Sequence, residues 1–181
     1  MRINGEFVRG AESWINLSFL RARERLLGVQ HMDIEIGEEP TVVENVPRPS
    51  DQLFNVGVFF QDYLRKNENI KMHLNLNVGS GFPFGILGNN EVFRNSFRFR
   101  PYQRVDIGFS VQLWDKNKKA EKPNHFLRFS KSTWISLEVF NLLQVSNTAS
   151  NTWIRTVFDT QFAIPNFLTS RRLNLRLKMD F

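Results

Sequence analysis

Cysteine is absent from the 181 residues, which excludes a disulfide framework and a thiolate metal site. Histidine is scarce, and His31, His73 and His125 lie too far apart in sequence for a recognisable metal-ligand spacing. No run of about 18 apolar residues occurs, so a transmembrane helix is excluded. The first ten residues, MRINGEFVRG, lack the apolar core of a signal peptide. There is no nucleophile elbow of the Gly-x-Ser-x-Gly type. The glycine-rich stretch 79–101 lacks the Gly-Lys-Ser/Thr ending of a phosphate cradle. The net charge of +6 raises nucleic acid as a partner. No basic run is long, however; arginines and lysines sit singly or cluster in a loop, as Lys116, Lys118, Lys119 and Lys122 do. The sequence thus argues against nucleic acid, a metal or another cofactor, and an enzyme. None of these absences bears on a membrane β-barrel, whose strands are apolar on one face only.

What the chain does have is phenylalanine, 18 in all, and strict alternation. In residues 171–181, RRLNLRLKMDF, Leu173, Leu175, Leu177, Met179 and Phe181 fall on one parity, and Asn174, Arg176, Lys178 and Asp180 on the other. Period two is the signature of a strand with one apolar and one polar face. The pattern recurs at 12–25, 53–64, 70–78, 102–113 and 134–143. Six antiparallel strands in three hairpins are expected, an all-β meander. Long irregular loops at 28–51, 79–101 and 145–170 follow strands one, three and five, so all fall at one end of the sheet. The connections at 65–69 and 114–132 fall at the other, the second longer than usual for a barrel. Long loops at one end and short turns at the other are the pattern of outer-membrane barrels.

The cost of burying charge sets the phase. An Arg or Lys on the lipid face at mid-bilayer costs about 2–4 kcal/mol. Turning the Leu/Val/Ile/Phe parity outward keeps Lys71, Arg176 and Lys178 off that face. The polar parity then lines a wet interior, and Asn16, Ser18, His73, Asn75, Asn77, Asp106, Gln112, Glu138, Asn174 and Arg176 are the candidate lumen-facing residues. Asp106 and Glu138 could serve as paired carboxylates, but solvated lumen residues explain them better. Trp14, Trp114, Trp134 and Trp153 lie near expected strand ends, where an aromatic girdle or ordinary packing would use them. The Asn16-Leu17-Ser18 glycosylation pattern falls inside a strand. A soluble all-β ligand-binding module would instead bury the apolar parity between two sheets, and alternation does not separate the two. Six strands are too few to close a barrel around a polar bore, and open edges are not tolerated in hydrocarbon. On the membrane reading, the chain belongs to a larger barrel.

The segments VPRPSDQ (46–52), FFQDYL (59–64), GFPFG (81–85), RPYQRVDIGFS (100–110), WISLEVFNLL (134–143) and AIPNFLTSRRLNLRL (163–177) occur in this order. Together, over essentially the whole chain, they resemble the C-terminal barrel portion of TonB-dependent outer-membrane receptors. The likeness is to the subgroup with a carboxypeptidase-regulatory-like domain before the plug. The resemblance implies that residues 1–181 supply the last six strands of a 22-stranded barrel in the outer membrane of a Gram-negative cell. It implies as partners the remainder of the barrel, the plug domain, the TonB system acting through that plug, outer-membrane lipid and an imported scarce ligand. It also places Asn141-Leu142-Leu143 near the outer surface. Leu175, Leu177, Met179 and Phe181 match the signal read by the barrel-assembly machinery. Plug, TonB-contacting segment and signal peptide are missing from the pattern, so a fragment inactive by itself is expected.

Overall fold

The computed structural model describes residues 1–8, 11–33, 37–64, 67–85, 91–117, 124–168 and 170–181. Lys118, Lys119 and Lys122 lie outside these, as do Glu35, residues 65–66 of the first short connection and 86–90 of the glycine-rich loop. Among the described residues the chain is all-β and antiparallel, and no helix is long and apolar enough to cross a membrane.

Among the described residues, seven strands form the main sheet. They are β1 (Arg2–Val8), β2 (Ala11–Ser18), β3 (Asn55–Leu64), β4 (Asn67–Gly79), β5 (Tyr102–Asp115), β6 (Ser132–Phe140) and β7 (Arg172–Asp180). Each pairs antiparallel with its sequence neighbour, a simple meander. The sequence led us to expect six strands; β1 is the addition. Its segment, RINGEFV, alternates too weakly to be recognised alone. It is templated by β2, with Ile3 opposite Ile15 and the Met1 ammonium donating to the Leu17 carbonyl at 2.6 Å. Conversely, the strand expected over 12–25 stops at Ser18, and Arg23–Glu24 pairs instead with Val46–Pro47.

The long connections are not wholly irregular. They carry four two-stranded ribbons among the described residues. The longest joins Thr148–Arg155 to Gln161–Phe167, a hairpin disguised in sequence by Pro165 and by a shifted register. The connections after β2, β4 and β6 all leave from one end of the sheet, and those after β1, β3 and β5 from the other.

Alternation fixes the faces. On β6 and β7, Ile135 lies opposite Leu177 and Leu137 opposite Leu175, while Ser136 faces Arg176 and Glu138 faces Asn174. The apolar face is exposed: Leu173, Leu175 and Leu177 are 74%, 69% and 56% accessible, and Phe60, Phe109 and Leu137 are also exposed. The polar face is the more buried one, with Asp106, Ser110, Ser136 and Glu138 all below 10%. Among the described residues, no second sheet covers the apolar face. At the short-connection end the loop 124–131 folds over β5 and β6. There the Trp114 indole donates to the Ser130 carbonyl at 3.0 Å and Thr133 is fully buried.

Candidate functional site

The polar face carries two side-chain clusters built by strand register. In the first, Asp106 on β5 accepts from Arg104 Nε at 2.7 Å and from the Asn141 backbone N–H at 2.8 Å. Asn75 on β4, directly opposite Asp106, donates to its other oxygen at 3.4 Å, and Asn77 donates to Asn75 at 3.3 Å. In the second, Glu138 on β6 accepts from Asn174 at 2.8 Å and pairs with Arg176 at 2.7 Å, both from β7. His73 of β4 reaches the same carboxylate from the other side, Nε2 to Oε1 3.6 Å. To do so it must cross β5, and it crosses over Gly108, its register partner. A Cβ at Gly108 would stand 2.2 Å from the imidazole. Glycine here is a requirement for laying the ring flat on the sheet.

Seven of the ten residues expected to share a wet face are therefore drawn into these clusters: His73, Asn75, Asn77, Asp106, Glu138, Asn174 and Arg176. The other three are not. Asn16 and Ser18 sit on β2 opposite Gly57 and Asn55, and Gln112 turns to Asp115 at 3.1 Å. Trp14 and Trp134 share this polar face as well. Trp14 stacks on Phe59 at 6.0 Å, and Trp134 and Tyr63 each hold the Lys71 ammonium 4.8 Å from the ring centre. Their register removes them from any girdle on the apolar face. Leu175 and Leu177 lie on the exposed face of β7, Met179 lies opposite Thr133, and Phe181 stacks on Phe129 at 6.0 Å. Asn141, in the left-handed region at φ 52°, turns the chain out of β6 at the long-connection end.

A third cluster, not foreseen, knits the long connections together. Asp51 is 1% exposed. It accepts from the Ala22 backbone N–H at 2.6 Å and pairs with Arg98, which also donates to the Asp51 and Gly81 carbonyls at 3.0 and 3.1 Å. Burial pushes the Asp51 pKa up, but the Ala22 N–H and the Arg98 guanidinium outweigh it and hold it below the ordinary carboxylate value. Glu24 receives Arg94 at 2.8 Å and Arg48 at 3.4 Å. The Arg94 hydrogen bond, against partial desolvation and with help from Arg48, lowers its pKa too. His31 is a structural staple: Nε2 accepts from the Leu26 N–H at 3.2 Å while Nδ1 lies 2.7 Å from the Glu91 carbonyl. Sequence offered only one signal for this cluster, acidic and basic residues amid prolines. Partners 47 residues apart, as Asp51 and Arg98 are, leave no local pattern.

Chemically, the face is a set of satisfied hydrogen bonds and ion pairs able to meet water or a polar polypeptide. The described residues contain no group of three metal-ligating side chains. Comparison with family models, curated proteins and solved structures returns no match.

Proposed function

We propose that the chain is a wall segment of a TonB-dependent outer-membrane receptor, a transport component and not an enzyme. One observation carries this reading: burial is inverted. Leucine and phenylalanine are exposed on one sheet face, while serine, aspartate and glutamate are buried on the other. A contiguous apolar face of this extent calls for a covering medium, and acyl chains supply one without a second sheet. The lengths support it. Strands β3 to β7 run 10, 13, 14, 9 and 9 residues, against about 9–11 for a tilted strand crossing a bilayer. Among the described residues both rims of the sheet are open, which in hydrocarbon requires further strands; the family's 22-stranded barrel would supply them. The polar face then looks into the bore, toward a plug domain through which TonB acts. The long connections stand outside the cell, where ligand is captured.

Because the segment has no cysteine, single cysteines report position cleanly. In outer membranes carrying the receptor, Asn174→Cys, Arg176→Cys and Lys178→Cys are expected to react with a charged, water-soluble maleimide. Leu173→Cys, Leu175→Cys and Leu177→Cys are expected to react only with a lipophilic one. Equal labelling at all six positions, or release of the chain from membranes without detergent, would overturn the proposal and favour a soluble ligand-binding module.

A further inference from the structure

Between the ribbon formed by Pro83–Phe84 with Phe97–Arg98 and the hairpin of Thr148–Arg155 with Gln161–Phe167 lies a cleft of about 410 Å³. That is within the range of small-molecule sites. Phe84 and Phe99, stacked at 4.4 Å, form one wall, and Phe167 stands on the other. Thr148 and Asn151 contribute polar groups, and among the described residues no carboxylate lines the cleft. Two arginines do. Arg98 is neutralised by buried Asp51. Arg100 is exposed and, among the described residues, has no acidic partner.

The walls are fixed in advance. A Cβ at Gly81 would fall 1.8 Å from the Phe99 carbonyl oxygen, so the loop carrying Phe99 lies directly on Gly81. The root of the hairpin is clamped by Asn147, which exchanges hydrogen bonds of 2.9 and 2.8 Å with the Gln103 backbone like an extra strand. A site held open this way avoids ordering costs on binding.

We infer that this cleft binds a small aromatic carboxylate: its ring packed between the Phe84–Phe99 wall and Phe167, the acid group on Arg100, and Asn151 supplying an amide contact. The inference names a ligand class for the long-connection end, and its setting at the mouth of a barrel rests on the transport reading. A cation without a counter-ion beside aromatic walls favours an anion with an apolar body over a neutral ligand of the same shape.

The test uses the receptor in outer-membrane vesicles, with dansyl-phenylalanine and its carboxamide as fluorescent probes. The acid is expected to bind saturably and about tenfold more tightly than the amide, one charge-assisted hydrogen bond being the difference. Arg100→Gln should bring acid affinity down to that of the amide and leave amide binding unchanged. Asn151→Asp, which puts an anion into the cleft, should weaken the acid alone, and Phe167→Ala should weaken both. Equal affinity for acid and amide, or an Arg100→Gln variant that binds the acid like the parent, would overturn the inference. If the chain proves soluble without detergent, the transport reading fails; the same titrations on the soluble chain still decide the cleft.

Discussion

The two faces of β5, β6 and β7 are built from the same backbone and the same register, yet they solve opposite problems. On one, Leu137, Leu175 and Leu177 stand in a row, exposed among the described residues. On the other, Glu138 meets His73, Asn174 and Arg176 within 3.6 Å. In a water-soluble sheet the apolar row would be the core, and the charged groups would need no partners beyond solvent. Here the apolar row is unified by exposure and the polar row by mutual satisfaction. The difference teaches that the polar face is satisfied by its own side chains, whereas the described residues leave the apolar face exposed.

The largest expected effect strikes the apolar row. If the transport proposal holds, Leu175→Arg should destabilise the protein by about 2–4 kcal/mol in a bilayer, the cost of a guanidinium at a lipid-facing position. In water an exposed leucine replaced by arginine is worth within about 0.5 kcal/mol either way. Urea titration of the protein in lipid vesicles separates these outcomes. A shift inside the smaller range would mean that Leu175 faces water, and the contrast between the faces would be lost.

The polar row is broken by shape. Gly108→Val places atoms where the His73 ring lies, since even a Cβ there comes within 2.2 Å; the ring must swing aside and give up Glu138, a loss of about 0.5–1.5 kcal/mol. His73→Ala gives up the same contact, so the double variant should cost little more than Gly108→Val alone, a coupling of about 0.5–1.5 kcal/mol. Strictly additive single effects would show that Gly108 is small for another reason.

These pairings mark what could be foreseen from the amino acids. The parity of 171–181 predicts which residues share a face, and Leu173, Leu175 and Leu177 do share one. The same holds for 70–78 and 102–113, so the membership of the polar face was legible. Its wiring was not. That His73 crosses Gly108 to reach Glu138 depends on the register between three strands, which periodicity within any one of them leaves free. Strand β1 was missed because Gly5 and Glu6 interrupt its pattern and the neighbour β2 completes it. The hairpin ending at Phe167 was missed because Pro165 reads as a strand breaker, although an exposed two-stranded ribbon accommodates it. The Asp51 cluster lies furthest from local pattern, since its energy comes from groups brought together by four separate turns of chain.

That cluster extends the comparison from the two faces to the long connections, where charge is stabilising by burial with a partner. Asp51→Asn leaves Arg98 without its counter-ion and should cost about 1–3 kcal/mol. Acid should act the same way. The folded pKa values of Asp51 and Glu24 are depressed, so their contribution is fully present above the unfolded carboxylate range of about 4 and is lost as pH falls through the folded values below it. Hydrogen exchange across residues 46–54 and 94–99 is expected to be slow from pH 5 to 7, after correction for intrinsic exchange rates, and to quicken in relative terms below about pH 4. In Asp51→Asn much of this acid response should already be gone at neutral pH. An unchanged protection profile down to pH 3 would mean that the network carries little of the loop stability.

The smallest effect is expected at the tip of the 148–167 hairpin, where Arg155 and Asp159 form an ion pair of similar geometry but with side chains 64% and 72% exposed. A solvated pair contributes only about 0–1 kcal/mol, whereas the Asp51 carboxylate is sealed. Asp159 also occupies the left-handed region at φ 65°, a conformation in which glycine carries no Cβ penalty. Asp159→Gly therefore removes a weak attraction and relieves a comparable strain, and stability should move by less than about 0.5 kcal/mol. Asp159→Val removes the same attraction, keeps a Cβ and adds a branched one, so it should be the more destabilising of the two. If the glycine variant lost as much as Asp51→Asn, the ion pair itself would be the source of stability at both sites, and burial would not be what distinguishes them. Thermal unfolding of the two variants side by side makes that comparison directly.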